Sequence, residues 1–206
     1  MTAGRFITLE GGEGAGKTTQ SALLADALIA LGMQVIRTRE PGGAPGAELL
    51  RGILLDGSID WVPRAETLLH FAARAEHLAN TILPALRAGK WVVCDRFHDS
   101  TLAYQGYGQG AERDLITLLI DRSEVAPDLT IVLDLGEPVA SQRIRRRGGG
   151  SDRYERLDAA FHARVRQGFR EIAAAEPKRC VLVDASANIA DVHTAIMTAV
   201  RTRLLD

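Results

Sequence analysis

The apolar positions of the chain follow two patterns that alternate along its length. Short runs rich in Val, Ile and Leu predict strands at 5–10, 34–38, 91–94, 129–134 and 180–183. Apolar residues three or four positions apart predict helices near 17–31, 46–55, 64–88, 111–123, 137–147, 154–175 and 188–204. This alternation favours an α/β fold in which helices flank a five-stranded parallel sheet.

The positions of glycine and proline indicate where the predicted helices end or bend. Gly32 and Gly89 each follow a predicted helix and indicate C-caps. Pro84 lies inside the 64–88 pattern and predicts a kink there. Because no repeat, low-complexity tract or long linker divides the 206 residues, we expect one domain over 1–206.

The first predicted strand leads into a segment that fits the phosphate-binding pattern G-x-x-x-x-G-K-[ST]. This P-loop comprises Gly11, Gly12, Glu13, Gly14, Ala15, Gly16, Lys17, Thr18 and Thr19. Its glycines let consecutive N–H groups point at an anion, and the next helix adds the positive end of its dipole. Lys17 would contact the β- and γ-phosphates, and Thr18 would offer a hydroxyl to Mg²⁺. The strand before it and the helix after it favour a nucleoside triphosphate site over a glycine-rich turn.

Two later strands end in an aspartate, and either is a candidate for the carboxylate near Mg²⁺. We assign Asp95, because Arg96 follows it and could clamp an acceptor phosphate through two N–H groups. A surface ion pair is the alternative for Asp95 and Arg96. Asp134 precedes a predicted helix and could be only its cap.

Two segments offer residues for an acceptor. Arg39, in the loop Thr38–Gly43 (TREPGG), and Arg51 could face a phosphate, or they could be solvated arginines of a plain surface turn. Arg74 lies one helical turn after His70 and Phe71. A base could stack on a ring there while the guanidinium bonds to its carbonyl edge, although a buried aromatic beside a surface arginine has the same pattern.

An arginine-rich stretch follows the fourth strand. Four arginines precede Gly148-Gly149-Gly150, and Arg153 comes after them. Cations also suit the C-terminus of a helix. Glycines between arginines nevertheless favour a lid, at about 145–153, that closes over the transferring phosphoryl group. The cluster is too short, and too poor in aromatic residues, to indicate RNA binding.

The composition limits which binding partners and which cellular location we expect. The net charge of −1, without a basic block, argues against stable binding to long nucleic acid. No segment reaches the apolar length of a membrane span, and the chain starts directly with a strand, so we expect neither a membrane protein nor a signal peptide. Cys94 and Cys180 lie in apolar runs, which suits buried thiols in a reducing cytoplasm.

In order along the chain, the motifs FITLEGGEGAGKTTQ, TREPGG, FAARAEH, DRFHDSTLAYQG, PDLTIVLDL, RRRGGGSDRYE and VDAS resemble those of bacterial thymidylate kinases (dTMP kinases). The DR…S…AYQG block and TREPGG are the most specific. The resemblance implies a P-loop fold of the nucleoside monophosphate kinase type. It also implies transfer of the ATP γ-phosphate to dTMP, giving dTDP and ADP, with Mg²⁺, in a cytoplasmic homodimer.

The resemblance also implies roles for single residues. Arg39, Arg51 and Arg96 would face the dTMP phosphate, Glu13 would accept a hydrogen bond from the 3′-hydroxyl, and Tyr104 would pack against the sugar. Arg74 would read thymine, helped by Thr101 and Gln105. The predicted dTMP site comprises Glu13, Arg39, Pro41, Arg51, His70, Phe71, Arg74, Arg96, Thr101, Tyr104 and Gln105. The predicted catalytic residues are Lys17, Asp95, Arg96, Arg147 and Arg153, and the predicted metal ligands are Thr18 and Asp95.

Ala15 stands where one branch of the family has a P-loop arginine, so the chain resembles the branch with lid arginines. The family's stacking phenylalanine corresponds to His70, whereas Phe71 lies one position later; either ring could stack. With three glycines in the lid, Arg145, Arg146 and Arg147 are all candidates for the arginine finger.

Two other functions fit part of the pattern. A kinase for another nucleoside monophosphate, such as dUMP or CMP, would use the same phosphate sites, and one methyl group separates dTMP from dUMP only tens-fold. A P-loop protein that uses ATP as a switch is less favoured, because Arg39, Arg51 and Arg96 suggest a second phosphate site.

Overall fold

The structure is a computed structural model that describes residues 4–147 and 153–205. In this part of the chain five strands form one parallel sheet in the order β2-β3-β1-β4-β5. The strands are β1 (Phe6–Gly11), β2 (Val35–Arg39), β3 (Trp91–Asp95), β4 (Leu129–Asp134) and β5 (Cys180–Asp184). The predicted sheet is confirmed.

Helices connect the strands and cover both faces of the sheet. They are α1 (Lys17–Ala30), α2 (Pro45–Leu55), α3 (Pro63–His77), α4 (Leu83–Arg87), α5 (His98–Thr101), α6 (Arg113–Asp121), α7 (Glu137–Arg147), α8 (Ala159–Ala175) and α9 (Ile189–Val200). Gly32 and Gly89 have positive φ angles of 87° and 74° just after α1 and α4, as expected of residues that end helices. In the described ranges, no helix is long and apolar enough to cross a bilayer.

The predicted helix 64–88 is divided into three segments. A π-helical turn, Leu78–Ile82, separates α3 from α4, and Pro84 is the second residue of α4. Proline cannot donate a hydrogen bond to the preceding turn, and a π-turn is one way in which a helix accommodates that loss. The change of helix type therefore coincides with the proline.

A helical segment at 98–108 was missing from the prediction. Here α5 continues into a π-helix, Leu102–Gly108. Its buried residues include the polar side chains of Asp99, Thr101 and Gln105, so the segment has no apolar stripe of helical period. The predicted helix 154–175 likewise starts as a 3₁₀ turn, Tyr154–Arg156, before α8 begins.

The sheet lies in the middle of the core. All six residues of β1 are buried. On one face Leu9 belongs to a cluster with Leu24 of α1 and Ile196 of α9, and on the other Phe6 packs with Ile82 and Phe97. Since every strand runs in the same direction, the carboxyl ends of β1, β2 and β3 meet at one edge.

Close contact between α8 and the π-helix 102–108 depends on a glycine on each side. A Cβ atom at Gly168 would lie 2.7 Å from Cγ of Tyr107, and one at Gly108 would lie 2.5 Å from Cε2 of Phe161. Such distances are well inside van der Waals contact. The two glycines therefore let α8 support the segment that carries Tyr104 and Gln105.

We expect Gly168→Ala to lower the free energy of unfolding by about 1–3 kcal/mol, because the added methyl group overpacks a buried contact. The matched control is Gly52→Ala, also within a helix, where a Cβ meets nothing within 4 Å. That change should stabilise the protein by about 0.5–1 kcal/mol through helix propensity. Urea unfolding of both variants checks this, and equal effects would contradict the packing argument.

Candidate active site

A cavity of about 580 Å³ opens at the carboxyl ends of β1, β2 and β3. Its lining contains most of the predicted site residues: Glu13, Gly14, Gly16, Lys17, Thr18, Thr19, Arg39, Pro41, Arg51, His70, Arg74, Asp95, Arg96, Thr101, Tyr104 and Gln105. It also contains residues that were not predicted: Glu40, Leu55, Phe97, Ser100, Arg143, Ile144, Tyr154 and Glu155. Phe71 and Arg153 are not among the lining residues.

The P-loop wraps around the N-terminus of α1. Gly14 and Gly16 have φ angles of 71° and 93°, a region that glycine enters without a Cβ penalty. Nζ of Lys17 donates a hydrogen bond to the carbonyl oxygen of Gly12 at 2.7 Å. Burial, reinforced by the charge of Arg96, lowers the pKa of Lys17 to about 8. A bound phosphate would add negative charge beside Lys17 and so favour its charged ammonium form.

The two aspartates at strand ends have different surroundings. Oγ1 of Thr18 donates to Oδ2 of Asp95 at 2.6 Å, which brings the two predicted metal ligands together. Both carboxylate oxygens of Asp134 instead accept from Arg166 of α8, at 2.6 and 2.9 Å. Asp134 is therefore one half of an ion pair with α8.

Arg96 connects the P-loop to the helix after β3. Its φ angle of 70° is unusual for a residue with a side chain. Nη1 donates to the carbonyl of Gly11 and to Oγ of Ser100, both at 3.1 Å. Nη2 donates to Oε1 of Glu13 at 2.5 Å and to the Tyr104 hydroxyl at 2.9 Å. These four bonds hold the strained residue in place.

Glu13 faces this guanidinium. Burial alone would raise its pKa, but the charges of Arg96 and Lys17 outweigh burial and lower the pKa of Glu13 to about 2. Oε1 also accepts from the Tyr104 hydroxyl at 2.8 Å. The P-loop therefore presents an ionised carboxylate to the cavity at neutral pH.

Arg74 of α3 also lines the cavity. Its Nε donates to Oε2 of Glu40 at 2.8 Å, and Nη2 donates to Oγ1 of Thr101 at 3.0 Å. Within the described residues, Nη1 is buried without a hydrogen-bond partner. The rings of Phe71 and Phe97 lie 4.8 and 5.1 Å from Cζ. A buried, unpaired donor of this kind favours a ligand with an acceptor atom.

Known proteins match this chain over almost its whole length. A family profile described as Thymidylate kinase matches residues 9–196. Thymidylate kinase of Gluconobacter oxydans is 56% identical over 205 residues, covering 98% of this chain and 96% of the relative. That of Caulobacter vibrioides is 50% identical over 207 residues, covering 99% of each. The chain belongs to the thymidylate kinase family.

A solved structure agrees with this assignment. The crystal structure of thymidylate kinase from Ehrlichia chaffeensis matches with a TM-score of 0.80 and 37% sequence identity, covering 97% of this chain and 99% of that one. The predicted P-loop kinase fold and the predicted function, thymidylate kinase, are thus confirmed. A protein that uses ATP only as a switch, the alternative from another class, does not fit this family.

In this family member His70, and not Phe71, lines the cavity. Its Nε2 lies 3.0 Å from the Tyr154 hydroxyl. Burial and the charge of Arg74 lower the pKa of His70 to about 3, so the imidazole is neutral at physiological pH. Phe71 packs against Arg74 instead.

The two arginines near the cis Glu40–Pro41 bond also line the cavity. Nη2 of Arg39 lies 3.0 Å from Oε2 of Glu48, in an exposed ion pair. Nη1 of Arg51 donates to the carbonyl of Pro41 at 2.7 Å. Both side chains therefore line the same cavity as Lys17 and Arg96.

Of the two predicted lid arginines, the structure describes the side chain of Arg153 only. The side chain of Arg147 and residues 148–152 lie outside the described part of the chain. Nη1 of Arg153 lies 2.6 Å from Oε2 of Glu66, a fully buried carboxylate of α3. Neither Glu66 nor Glu40 is among the predicted site residues, because a single glutamate in a helix or loop is normally exposed to solvent.

Glu10 of β1 supports the site through hydrogen bonds to the segment after β3. Its carboxylate accepts from the Phe97 N–H at 2.7 Å and from Ser100 Oγ, and so holds the segment that follows Arg96. Burial, together with the charge of Asp99, raises the pKa of Glu10 from 4.5 to about 7.

A raised carboxyl pKa means that the folded state binds more protons than the unfolded state between about pH 4.5 and 7. The stability from Glu10 is therefore fully present below this window and is lost as the pH rises through 7. We expect the unfolding free energy of the wild type, relative to Glu10→Gln, to fall by on the order of 2–3 kcal/mol between pH 4.5 and 8. Urea unfolding at several pH values measures this. A difference that does not change with pH would contradict it.

Proposed function

We propose that, as this thymidylate kinase transfers the γ-phosphoryl group of ATP to dTMP, the thymine lies beside Arg74 and the acceptor phosphate lies beside Arg96. The observation that carries the proposal is the unpaired Nη1 of Arg74. It offers a hydrogen bond to a base carbonyl in a cavity that is also lined by Lys17 and Arg96. A nucleotide acceptor has both a base carbonyl and a phosphate, and so would use both kinds of donor.

ATP would bind through the P-loop. The backbone N–H groups and Lys17 would hold its phosphates. Arg147 and Arg153 are the proposed lid arginines of a chain whose P-loop has Ala15 instead of arginine: Arg147 would face the γ-phosphate, and Arg153 would hold the lid in place through its ion pair with Glu66. The lid would comprise about 145–153 of a single domain over 1–206.

The oxygen donors near the P-loop fit Mg²⁺. The Thr18 hydroxyl and the Asp95 carboxylate are hard ligands that lie 2.6 Å apart. Within the described residues no group of three or more His, Cys, Asp or Glu could hold a metal. One or two protein oxygens, with phosphates and water, is the arrangement that Mg²⁺ commonly adopts in kinases. When bound, Mg²⁺ would neutralise charge on the phosphate oxygens.

The acceptor phosphate would lie among Arg39, Arg51 and Arg96, with Pro41 beside it. Its oxygen is already ionised, so transfer needs no strong general base. The main contributions of the protein would be in-line positioning and neutralisation of the phosphoryl charge. Glu48, which now pairs with Arg39, would give way to the phosphate as the partner of that guanidinium.

The nucleoside would fill the rest of the cavity. Thr101 and Gln105 would join Arg74 at the thymine edge, and His70 would face the ring, with Phe71 supporting Arg74 from behind. Tyr104 would pack against the sugar and crowd a ribose 2′-hydroxyl, and Glu13 would accept from the 3′-hydroxyl.

The test is ADP release with ATP and Mg²⁺, run in parallel with dTMP, dUMP, CMP, UMP and AMP. We expect kcat/KM for dTMP to exceed that for each other acceptor by about ten-fold or more. Arg74→Met should raise the KM for dTMP about ten-fold or more, because a buried base carbonyl loses its donor. Turnover led by CMP or AMP, or an unchanged KM in the variant, would overturn the placement of the base.

We also propose a cytoplasmic homodimer. The outer face of α3 continues into the π-turn as an exposed apolar row: Leu68, Ala72, Ala75 and Ala79. Their spacing of four, three and four residues places them along one side of the helix, and a second copy of this face would cover them. The cytoplasmic location is supported by Cys94 and Cys180, which are both buried and unpaired.

Light scattering during size-exclusion chromatography should give the mass of two chains for the wild type and of one chain for Ala72→Glu, because a buried charge without a partner disrupts an apolar interface. The matched control, Leu118→Glu, changes an exposed leucine of α6 outside the row and should remain dimeric. A monomeric wild type, or a dimeric Ala72→Glu variant, would contradict this interface.

A further inference from the structure

The buried carboxylate of Glu66 is the meeting point of three segments. It lies on α3, two turns before Arg74, and its side chain is fully buried. Oε1 accepts from Nε2 of Gln105 at 2.8 Å and from Nε2 of Gln109 at 2.9 Å, both from the segment that follows α5. The Tyr154 hydroxyl donates to the same oxygen at 2.6 Å.

Within the part of the chain that the structure describes, the second oxygen has one cationic partner. Oε2 of Glu66 accepts from Nη1 of Arg153 at 2.6 Å. A buried carboxylate without a counter-charge would be strongly disfavoured as an ion. Arg153 supplies that counter-charge, and a carboxylate paired with a guanidinium offers only acceptor oxygens to Gln105.

This restriction fixes the orientation of the Gln105 amide. The two ends of a glutamine amide have nearly the same shape, but only the NH₂ end can donate to Glu66. The same NH₂ group lies 3.1 Å from the Tyr154 hydroxyl oxygen, whose proton goes to Glu66. Gln105 lines the cavity. The atom that remains for a bound base is thus the amide oxygen.

We propose that Glu66 is a specificity-determining positioning residue, which makes Gln105 present an acceptor to the bound base. With Arg74 as donor, the cavity then matches a base edge that has a carbonyl beside a ring N–H, as in thymine and uracil. Cytosine has an amino group and an unprotonated ring nitrogen at these positions, and would face the wrong partner at both. The inference rests on the proposed placement of the base beside Arg74 and Gln105.

Glu66→Gln is the informative change, because it preserves shape and alters polarity. Arg153 still requires an acceptor, so the new amide oxygen takes the place of Oε2 and the new NH₂ group faces Gln105. Gln105 must then turn its oxygen toward position 66 and its NH₂ group toward the base. The variant thereby loses the N–H acceptor and gains a donor for an unprotonated ring nitrogen.

The substrates for the test are dTMP and 5-methyl-dCMP, whose bases share the methyl group and differ only at the edge in question. We expect Glu66→Gln to lower the ratio of their kcat/KM values about ten-fold or more. The ratio for dTMP against dUMP reports the methyl contact and should stay within about two-fold of the wild type. A loosened site would lower both ratios together, and that result, like two unchanged ratios, would overturn the proposal.

Glu176→Gln is the matched control, because Glu176 also pairs with an arginine but precedes β5, at the opposite edge of the sheet. Both ratios should be unchanged in it. Tyr154→Phe removes one donor to Glu66 and one acceptor for Gln105, and should lower the first ratio in the same direction but less. If Glu66→Gln fails to fold, Tyr154→Phe becomes the test. An unchanged ratio of kcat/KM for dTMP against 5-methyl-dCMP in Tyr154→Phe would then overturn the proposal.

Gln105→Leu separates this inference from the placement of the base. If Gln105 contacts the base, its loss lowers the ratio of dTMP to 5-methyl-dCMP, and adding Glu66→Gln then changes the ratio no further. An unchanged ratio in Gln105→Leu would refute the base placement itself. A further fall in the double variant would leave the base placement intact and overturn the role of Glu66.

Discussion

The site depends on the guanidinium of Arg96 more than on any other group. Its N–H groups bond to the P-loop through Gly11 and Glu13 and to the helix after β3 through Ser100 and Tyr104. These residues come from segments that the sheet brings to one edge. Because a guanidinium has five donors in a rigid plane, it can bond to both segments while still facing the cavity, which a lysine ammonium could not do in the same geometry.

The second half of the cavity is organised by buried carboxylates that orient donors. Glu40 accepts a hydrogen bond from Arg74 and lies 3.0 Å from Nδ1 of His77. Glu66 accepts hydrogen bonds from Gln105, Tyr154 and Arg153. A buried ion pair contributes little to net stability, because desolvation offsets most of its attraction. In this cavity the carboxylates instead determine how the neighbouring polar groups are oriented. Each carboxylate determines which polar atoms of its neighbour remain for a ligand.

One face of α3 accounts for much of this arrangement. Glu66, His70, Arg74 and His77 follow each other at intervals of four, four and three residues, so one helix contributes to the lid side, the base pocket and the loop after β2. The opposite face of the same helix has the exposed row from Leu68 to Ala79. The acceptor pocket and the proposed dimer surface are therefore two sides of one rigid element.

The sequence by itself determined the strands, the P-loop, the helix caps at Gly32 and Gly89, and the buried cysteines, because each follows from local periodicity or from residues adjacent in the chain. The sequence did not predict the helix at 98–108, because several of its buried residues are polar and it therefore has no helical repeat of apolar residues. Only the tertiary structure decided that Asp134 pairs with Arg166, that His70 rather than Phe71 reaches the cavity, and that Glu66 holds Arg153. These pairs are 32 and 87 residues apart along the chain. Whether a charge is solvated, paired or free to meet a ligand depends on which segments the fold brings beside it, and local sequence carries no record of that.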